Sequence, residues 1–205
     1  TLPIKRLLGI VRELGDSEIE VSVNDKDCAS LKCGSSFFKI VGIPETDFPK
    51  FPKSESKATF TIGAAVFREM LRKTSYAASE DESRHIITGV LLAFRDGKLT
   101  VVATDGRRLA LVEQELEIPV EMETDVVLPA KAVSEIMRLL KEDGEVKISV
   151  DSKMALFEYG ESALATKLIE GAFPNYRQVI PQSFVERVEV SREGILSAMR
   201  RVSVI

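Results

Sequence analysis

Within five residues, Thr104, Asp105, Gly106, Arg107 and Arg108 bring together a hydroxyl, a carboxylate and two guanidinium groups, with the apolar Leu109 next in line. Such a set can act in two ways. Asp105 could serve as an acid, a base or a metal ligand, or the donors could rim an apolar pocket and hold a partner's backbone or acid groups. The Asp105-Gly106 step marks a turn, because glycine enters positive φ without a Cβ clash. An ordinary hairpin with a solvated arginine pair satisfies the same residues. The other catalytic candidates are Glu80-Asp81-Glu82 and His85, the only histidine. That acidic run sits among Ser and Ala between a helix and a strand, the setting of a solvated loop, and His85 leads the strand. No Ser or Cys nucleophile stands at an interpretable spacing, and there is no P-loop or Gly-rich dinucleotide fingerprint. Cys28, Cys33 and His85 are too few for a structural zinc site, and the two cysteines read as reduced thiols. The expectation is a protein with no catalytic residue, metal or cofactor.

The elements around this corner follow one grammar, strand, helix and three strands, given twice. In the first half, 58–62 reads as a strand and 64–76 as a helix whose Phe67, Met70, Leu71 and Thr74 recur at three and four. Strands are expected at 85–94, 99–103 and 109–113, the first pair joined at Asp96-Gly97. In the second half, 125–128 is a strand and 130–141 a helix with Val133, Ile136, Met137 and Leu140 on its core face. Strands at 146–150, 155–159 and 164–168 complete it. Two βαβββ halves make an α+β domain, two helices packed on antiparallel sheets.

The chain has 205 residues, 44% of them hydrophobic, enough to bury a core in one or two domains. It carries no apolar run of about 18 residues and no signal-peptide pattern, so no membrane association is expected and the cytoplasm is the expected compartment. A net charge of -4 argues against indiscriminate coating of nucleic acid without excluding a local basic face. Leu2-Pro3-Ile4-Lys5 reads like Leu128-Pro129-Ala130-Lys131, and Phe48-Pro49 like Phe173-Pro174. Thr61-Ile62, Phe67 and Leu71-Arg72-Lys73 align with Glu189-Val190, Ile195 and Met199-Arg200-Arg201. The repeat is about 125 residues long. It divides the chain into the C-terminal half of a first unit (1–55), a complete second unit (56–181) and the start of a third (182–205). Thr1 in place of Met, and Ile205 inside a helical pattern, read as the ends of a fragment.

Three segments in fixed order carry a family resemblance. Ala103-Thr104-Asp105-Gly106-Arg107-Arg108-Leu109-Ala110 matches A-T-D-G-x-R-L-A, and Leu128-Pro129-Ala130-Lys131 matches L-P-x-K. Leu168-Ile169-Glu170-Gly171-Ala172-Phe173-Pro174-Asn175-Tyr176-Arg177 matches L-[IV]-[DE]-G-x-[FY]-P-x-[YF]-R. Together they resemble the bacterial DNA polymerase III beta subunits, the replicative sliding clamps. The resemblance implies DNA-clamp-like domains in a three-domain chain that dimerises head to tail around duplex DNA, without reading sequence. It implies binding of the polymerase III catalytic subunit, the clamp loader and other clamp-binding peptides in a groove between the second and third domains. Carried over residue by residue, that groove is Ile87, Thr104, Gly106, Arg107, Arg108, Leu109, Pro174, Gln178 and Val179. Ile87, Leu109, Pro174 and Val179 offer an apolar floor, with Arg108 and the Thr104 hydroxyl as donors at the rim. Arg107 stands where many clamps have His, and Gln178 where some have Arg.

A helical wheel places Lys131, Arg138 and Lys141 opposite the apolar stripe of one helix, and Arg68, Arg72 and Lys73 opposite that of the other. For any one such residue a solvated face is the plain explanation. In a ring of repeated domains the same residues would line a channel at phosphate height. A fragment lacking parts of two domains is expected to be monomeric or weakly associating. A peptide-binding scaffold that does not encircle DNA, and a nucleic-acid-processing enzyme, are the alternatives.

Overall fold

The apolar run that begins at Val90 is a strand buried on both faces, which is why it does not alternate. In the computed structural model, which describes residues 1–14, 18–51 and 58–204 and only the backbone of Glu121, the chain forms two units, Thr1–Lys53 and Ser54–Ile205. The boundary read from the repeat at 55/56, and Ile205, lie outside the described residues.

The first unit holds helix α1 (Ile4–Glu13) and an antiparallel sheet of strands β1 (Glu20–Val23), β2 (Cys28–Cys33) and β3 (Ser36–Val41). Ala29, Leu31, Cys33 and Ile40 are its buried residues, and Cys28 and Cys33 are free thiols.

The second unit begins with β4 (Ala58–Gly63) and α2 (Ala64–Thr74), followed by β5 (Gly89–Arg95), β6 (Lys98–Thr104) and β7 (Leu109–Glu115). The pattern recurs as β8 (Thr124–Pro129), α3 (Ala130–Leu139), β9 (Glu145–Val150), β10 (Met154–Tyr159) and β11 (Ser162–Lys167). The halves exchange their first strands. β4 joins the sheet β11-β10-β9-β4 and β8 joins β7-β6-β5-β8, each pairing antiparallel with a strand of the other half. The halves therefore share one core. Phe60 of β4 stacks on Phe94 of β5 with ring centroids 4.0 Å apart, and Phe67 of α2 stacks on Phe157 of β10. At Asp96 (φ 53) and Gly97 (φ 70) both turn residues are left-handed, the geometry a two-residue hairpin needs.

Two expectations need correction. The strand expected from 85 starts at Gly89, because Glu82–Thr88 winds into 3-10 turns. The Asp81 carboxylate accepts the Ser83 N–H at 3.0 Å, the backbone kinks at Arg84 (φ -105, ψ 54), and the Thr88 hydroxyl donates to the His85 carbonyl at 2.7 Å. His85 is thus exposed on a turn and leads no strand. Both helices also stop two residues early. The 64–76 helix tightens into a 3-10 turn at Ser75–Ala77, and Leu140 turns extended (φ -74, ψ 133) as its side chain enters the core.

Beyond β11, residues 168–180 run over the outer face of the β7-β6-β5-β8 sheet, where Ile169, Phe173 and Tyr176 pack on Leu91, Ala93, Val102 and Val127. A last helix, α4 (Arg192–Val202), is capped by Ser191, which accepts the Gly194 N–H at 3.2 Å; none of its residues is buried.

Candidate partner-binding groove and basic helix face

The β6–β7 corner is built by one carboxylate. Oδ1 of Asp105 accepts the backbone N–H of Arg107 and of Arg108, both at 2.9 Å, while Gly106, between Asp105 and Arg107, takes φ +85. Oδ2 accepts the Arg108 Nε–H at 3.1 Å. Arg108 then reaches away from the corner, donating Nη2–H to the Tyr76 carbonyl at 2.8 Å with its guanidinium 5.8 Å from the Tyr76 ring centroid. Arg84 closes the other side by donating Nη1–H to the Asp105 carbonyl at 2.8 Å. The Thr104 hydroxyl donates to the Arg108 carbonyl at 2.7 Å and accepts the Gly106 N–H at 3.1 Å. It is spent inside the corner, which corrects its expected role as a rim donor.

The backbone N–H groups of Arg108 and Arg107, with the Arg108 guanidinium, hold the Asp105 carboxyl below its ordinary value of 3.8. A depressed carboxyl stabilises the fold above its unfolded value and loses that contribution as pH falls through the folded one. Asp105→Asn is therefore expected to destabilise the chain at neutral pH, with the gap to wild type closing below about pH 4. Urea denaturation at neutral and acid pH checks this; a gap independent of pH would show that the charge is not what matters.

The segment over the sheet is pinned where the Ile169 N–H donates to the Val127 carbonyl at 2.9 Å. It carries Pro174 and a 3-10 turn, Tyr176–Val179, up to the corner. There a cavity of about 350 Å³ forms, lined by Ile87, Thr104, Gly106, Arg107, Arg108, Leu109, Pro174 and Val179 of the expected set. Asn175 and Tyr176 complete the lining, and Gln178 does not belong to it. With three residues per 3-10 turn, Tyr176 and Val179 share a side and Gln178 falls off it. That spacing was readable once the turn was known to be 3-10, but nothing in the sequence announced the turn. Beyond the same segment lies a larger cavity, about 590 Å³, over Leu91, Ala93 and Val127; the Arg95–Asp125 ion pair on its rim closes at 2.6 Å.

The six cations expected on the helix face lie on or just beyond α2 and α3, and four are already engaged. Arg68 donates to the Met137 carbonyl at 3.2 Å and to Glu142 at 3.0 Å. Glu69 holds Arg72 through two bonds of 2.6 and 2.7 Å and has Lys73 at 3.4 Å, and Glu135 holds Arg138 at 3.1 Å. The Arg72 fork, assisted by Lys73, pulls the Glu69 carboxyl down to about 2. Lys131 and Lys141 are exposed and make no ion pair among the described residues. Among the described residues no group of three His, Cys, Asp or Glu could hold a metal ion, and no helix is long and apolar enough to cross a membrane.

The family model for the DNA polymerase III beta subunit, central domain, matches residues 61–175. The chain belongs to that family. The beta sliding clamp of Chlamydia muridarum (strain MoPn / Nigg) is 35% identical over 203 residues, 99% of this chain and 56% of the relative. That of Pseudomonas aeruginosa is 31% identical over 207 residues, 100% of this chain and 56% of the relative. The chain thus spans about half the length of these curated relatives. Among solved structures, the DnaN sliding clamp (DNA polymerase III subunit beta) from Pseudomonas aeruginosa bound to griselimycin superposes with a TM-score of 0.86 at 30% identity. The alignment covers 100% of this chain and 56% of that one. The DNA polymerase III beta subunit of Thermotoga maritima gives 0.80 at 29%, covering 100% and 55%. The fold is accordingly that of the DnaN clamps. The beta-subunit match takes in the β6–β7 corner and Pro174 and ends before Val179.

Proposed function

We propose that this chain is part of a DNA sliding clamp, a non-catalytic processivity factor that encircles duplex DNA without reading its sequence. In this reading 56–181 is one complete clamp domain flanked by parts of two others, the helices α2 and α3 face DNA, and the cavity receives peptides of the replicative polymerase, the clamp loader and other partners. Ring closure needs both flanking domains whole, so the chain itself is monomeric or weakly associating.

The observation that carries the reading is the meeting of two stretches about seventy residues apart, 104–109 and 174–179, around Ile87 in one cavity with an apolar floor. A plain hairpin needs no such meeting. An extended peptide with aliphatic or aromatic anchors fits this lining, its side chains against Leu109, Pro174 and Val179. Calorimetric titration with the clamp-binding segment of a polymerase III catalytic subunit tests it. The peptide should bind, while its alanine-anchor variant should not; equal affinity of the two peptides would overturn the groove. The internal pairing of four of the six helix-face cations favours, as second reading, a peptide-binding scaffold that does not hold DNA. Salt-sensitive retention on duplex DNA separates the two.

A further inference from the structure

Four helices in this chain carry arginine at their ninth position: Arg12 in α1, Arg72 in α2, Arg138 in α3 and Arg200 in α4. The sixth position, one turn earlier on the same side, differs between them. In α2 and α3 it is glutamate, Glu69 and Glu135, and each holds its arginine in an ion pair, Glu69 at 2.6 Å and Glu135 at 3.1 Å. In α1 and α4 it is Gly9 and Ser197, which carry no charge. The two glutamates thus sit at equivalent places in the two halves of the domain, each neutralising the residue most suited to a phosphate.

We infer that Glu69 and Glu135 are affinity-setting residues of the basic face: each competes with the DNA backbone for its arginine and keeps that arginine out of the standing phosphate contacts. The inference rests on the DNA-facing reading above. A guanidinium binds one carboxylate or one phosphate through the same fork, so contact with DNA exchanges one partner for the other. The side chains of both arginines are largely exposed, 64% for Arg72 and 77% for Arg138, so the exchange needs no repacking. Acidification over the ordinary range does not release Arg72, since Glu69 stays ionised down to about 2. Only a competing anion does. Lys131 and Lys141 are left as the permanent phosphate ligands, and the arginines engage transiently, which suits a protein that must hold a duplex and still move along it.

The test measures anisotropy of a short fluorescein-labelled duplex with this chain as salt is varied. Removing one such helix ion pair should raise affinity about two-fold, and Glu69 holds both Arg72 and Lys73 while Glu135 holds Arg138, so Glu69→Gln/Glu135→Gln should bind about eight-fold tighter at low salt. The slope of log K against log salt should steepen by about 0.9 for each freed cation, Arg72, Lys73 and Arg138. Glu115→Gln/Glu161→Gln, equal in charge but on exposed positions of β7 and of the β10–β11 turn, should give a smaller rise and an unchanged slope. Equal effects of the two double variants, or no effect of the first, overturn the inference. Lys131→Ala/Lys141→Ala decides the reading beneath it. Loss of binding in that variant beside an inert glutamate pair rejects the competition and keeps the DNA-facing face; unchanged binding rejects both.

Discussion

Gly89→Ala should cost about 3 kcal/mol of stability although it adds a single methyl group. A Cβ built there would lie 2.5 Å from the Leu128 carbonyl oxygen, 2.6 Å from Val127 Cγ1 and 2.7 Å from Ile169 Cδ1. The first of these is backbone of the paired strand, where Gly89 opposes Pro129, and cannot rotate away. Relief requires β5 and β8 to part, and β8 also anchors Ile169 and with it the segment that brings Pro174 to the cavity. Urea denaturation of Gly89→Ala beside Gly63→Ala checks the claim, since a Cβ at Gly63 meets nothing closer than Val66 Cγ2 at 3.7 Å. Gly63→Ala should be near neutral. A Gly89→Ala midpoint close to wild type would show that the strands yield more easily than their hydrogen bonds suggest.

Leu109→Ala and Val179→Ala should each weaken the polymerase-peptide complex by at least about 1 to 2 kcal/mol, roughly ten-fold. The two residues reach the cavity from different elements, one from β7 and one from the 3-10 turn over the sheet. Val179 is the cleaner probe because it is 68% exposed, so its truncation leaves the core untouched. Leu109 also packs on the outer face of the sheet, and its variant needs a matching denaturation curve. Duplex binding should be unchanged in both, because the basic face lies on α2 and α3. Calorimetry giving wild-type affinity for the folded variants would remove the cavity as the peptide site and leave the clamp fold standing.

Much of this architecture can be read from residue order. Alternation in β4, where Phe60 and Ile62 are buried between exposed Thr59 and Thr61, and the three-and-four spacing of Phe67, Met70, Leu71 and Thr74 report burial directly, because a side chain's direction follows from its position along the element. Asp96-Gly97 reports its hairpin for a similar local reason. What escapes is decided by distant partners. Ile86 and Ile87 extend the apolar run before Gly89, yet Asp81 captures the Ser83 N–H and turns that stretch into 3-10. Thr104 looks like a free donor until the Arg108 carbonyl folds back onto it. The strand exchange has no local mark at all, since β4 pairs equally well by composition with a strand of its own half. Glu69 and Glu135 are a different case. The i, i+3 rule places each beside its arginine in the bare sequence, and reading the cations without their neighbouring acids overstates the free charge of the face.

The exchange of first strands also bears on how the domain is made. β4 has no place in a sheet until β9, about 85 residues later, has left the ribosome, whereas the β5–β6–β7 meander can form from its own hairpins. Such a long-range pairing raises contact order and slows folding. During synthesis the inward side of β4, with Phe60 and Ile62, must wait uncovered beside α2. Neither half is a self-sufficient folding unit, so a break between them would yield two aggregation-prone pieces.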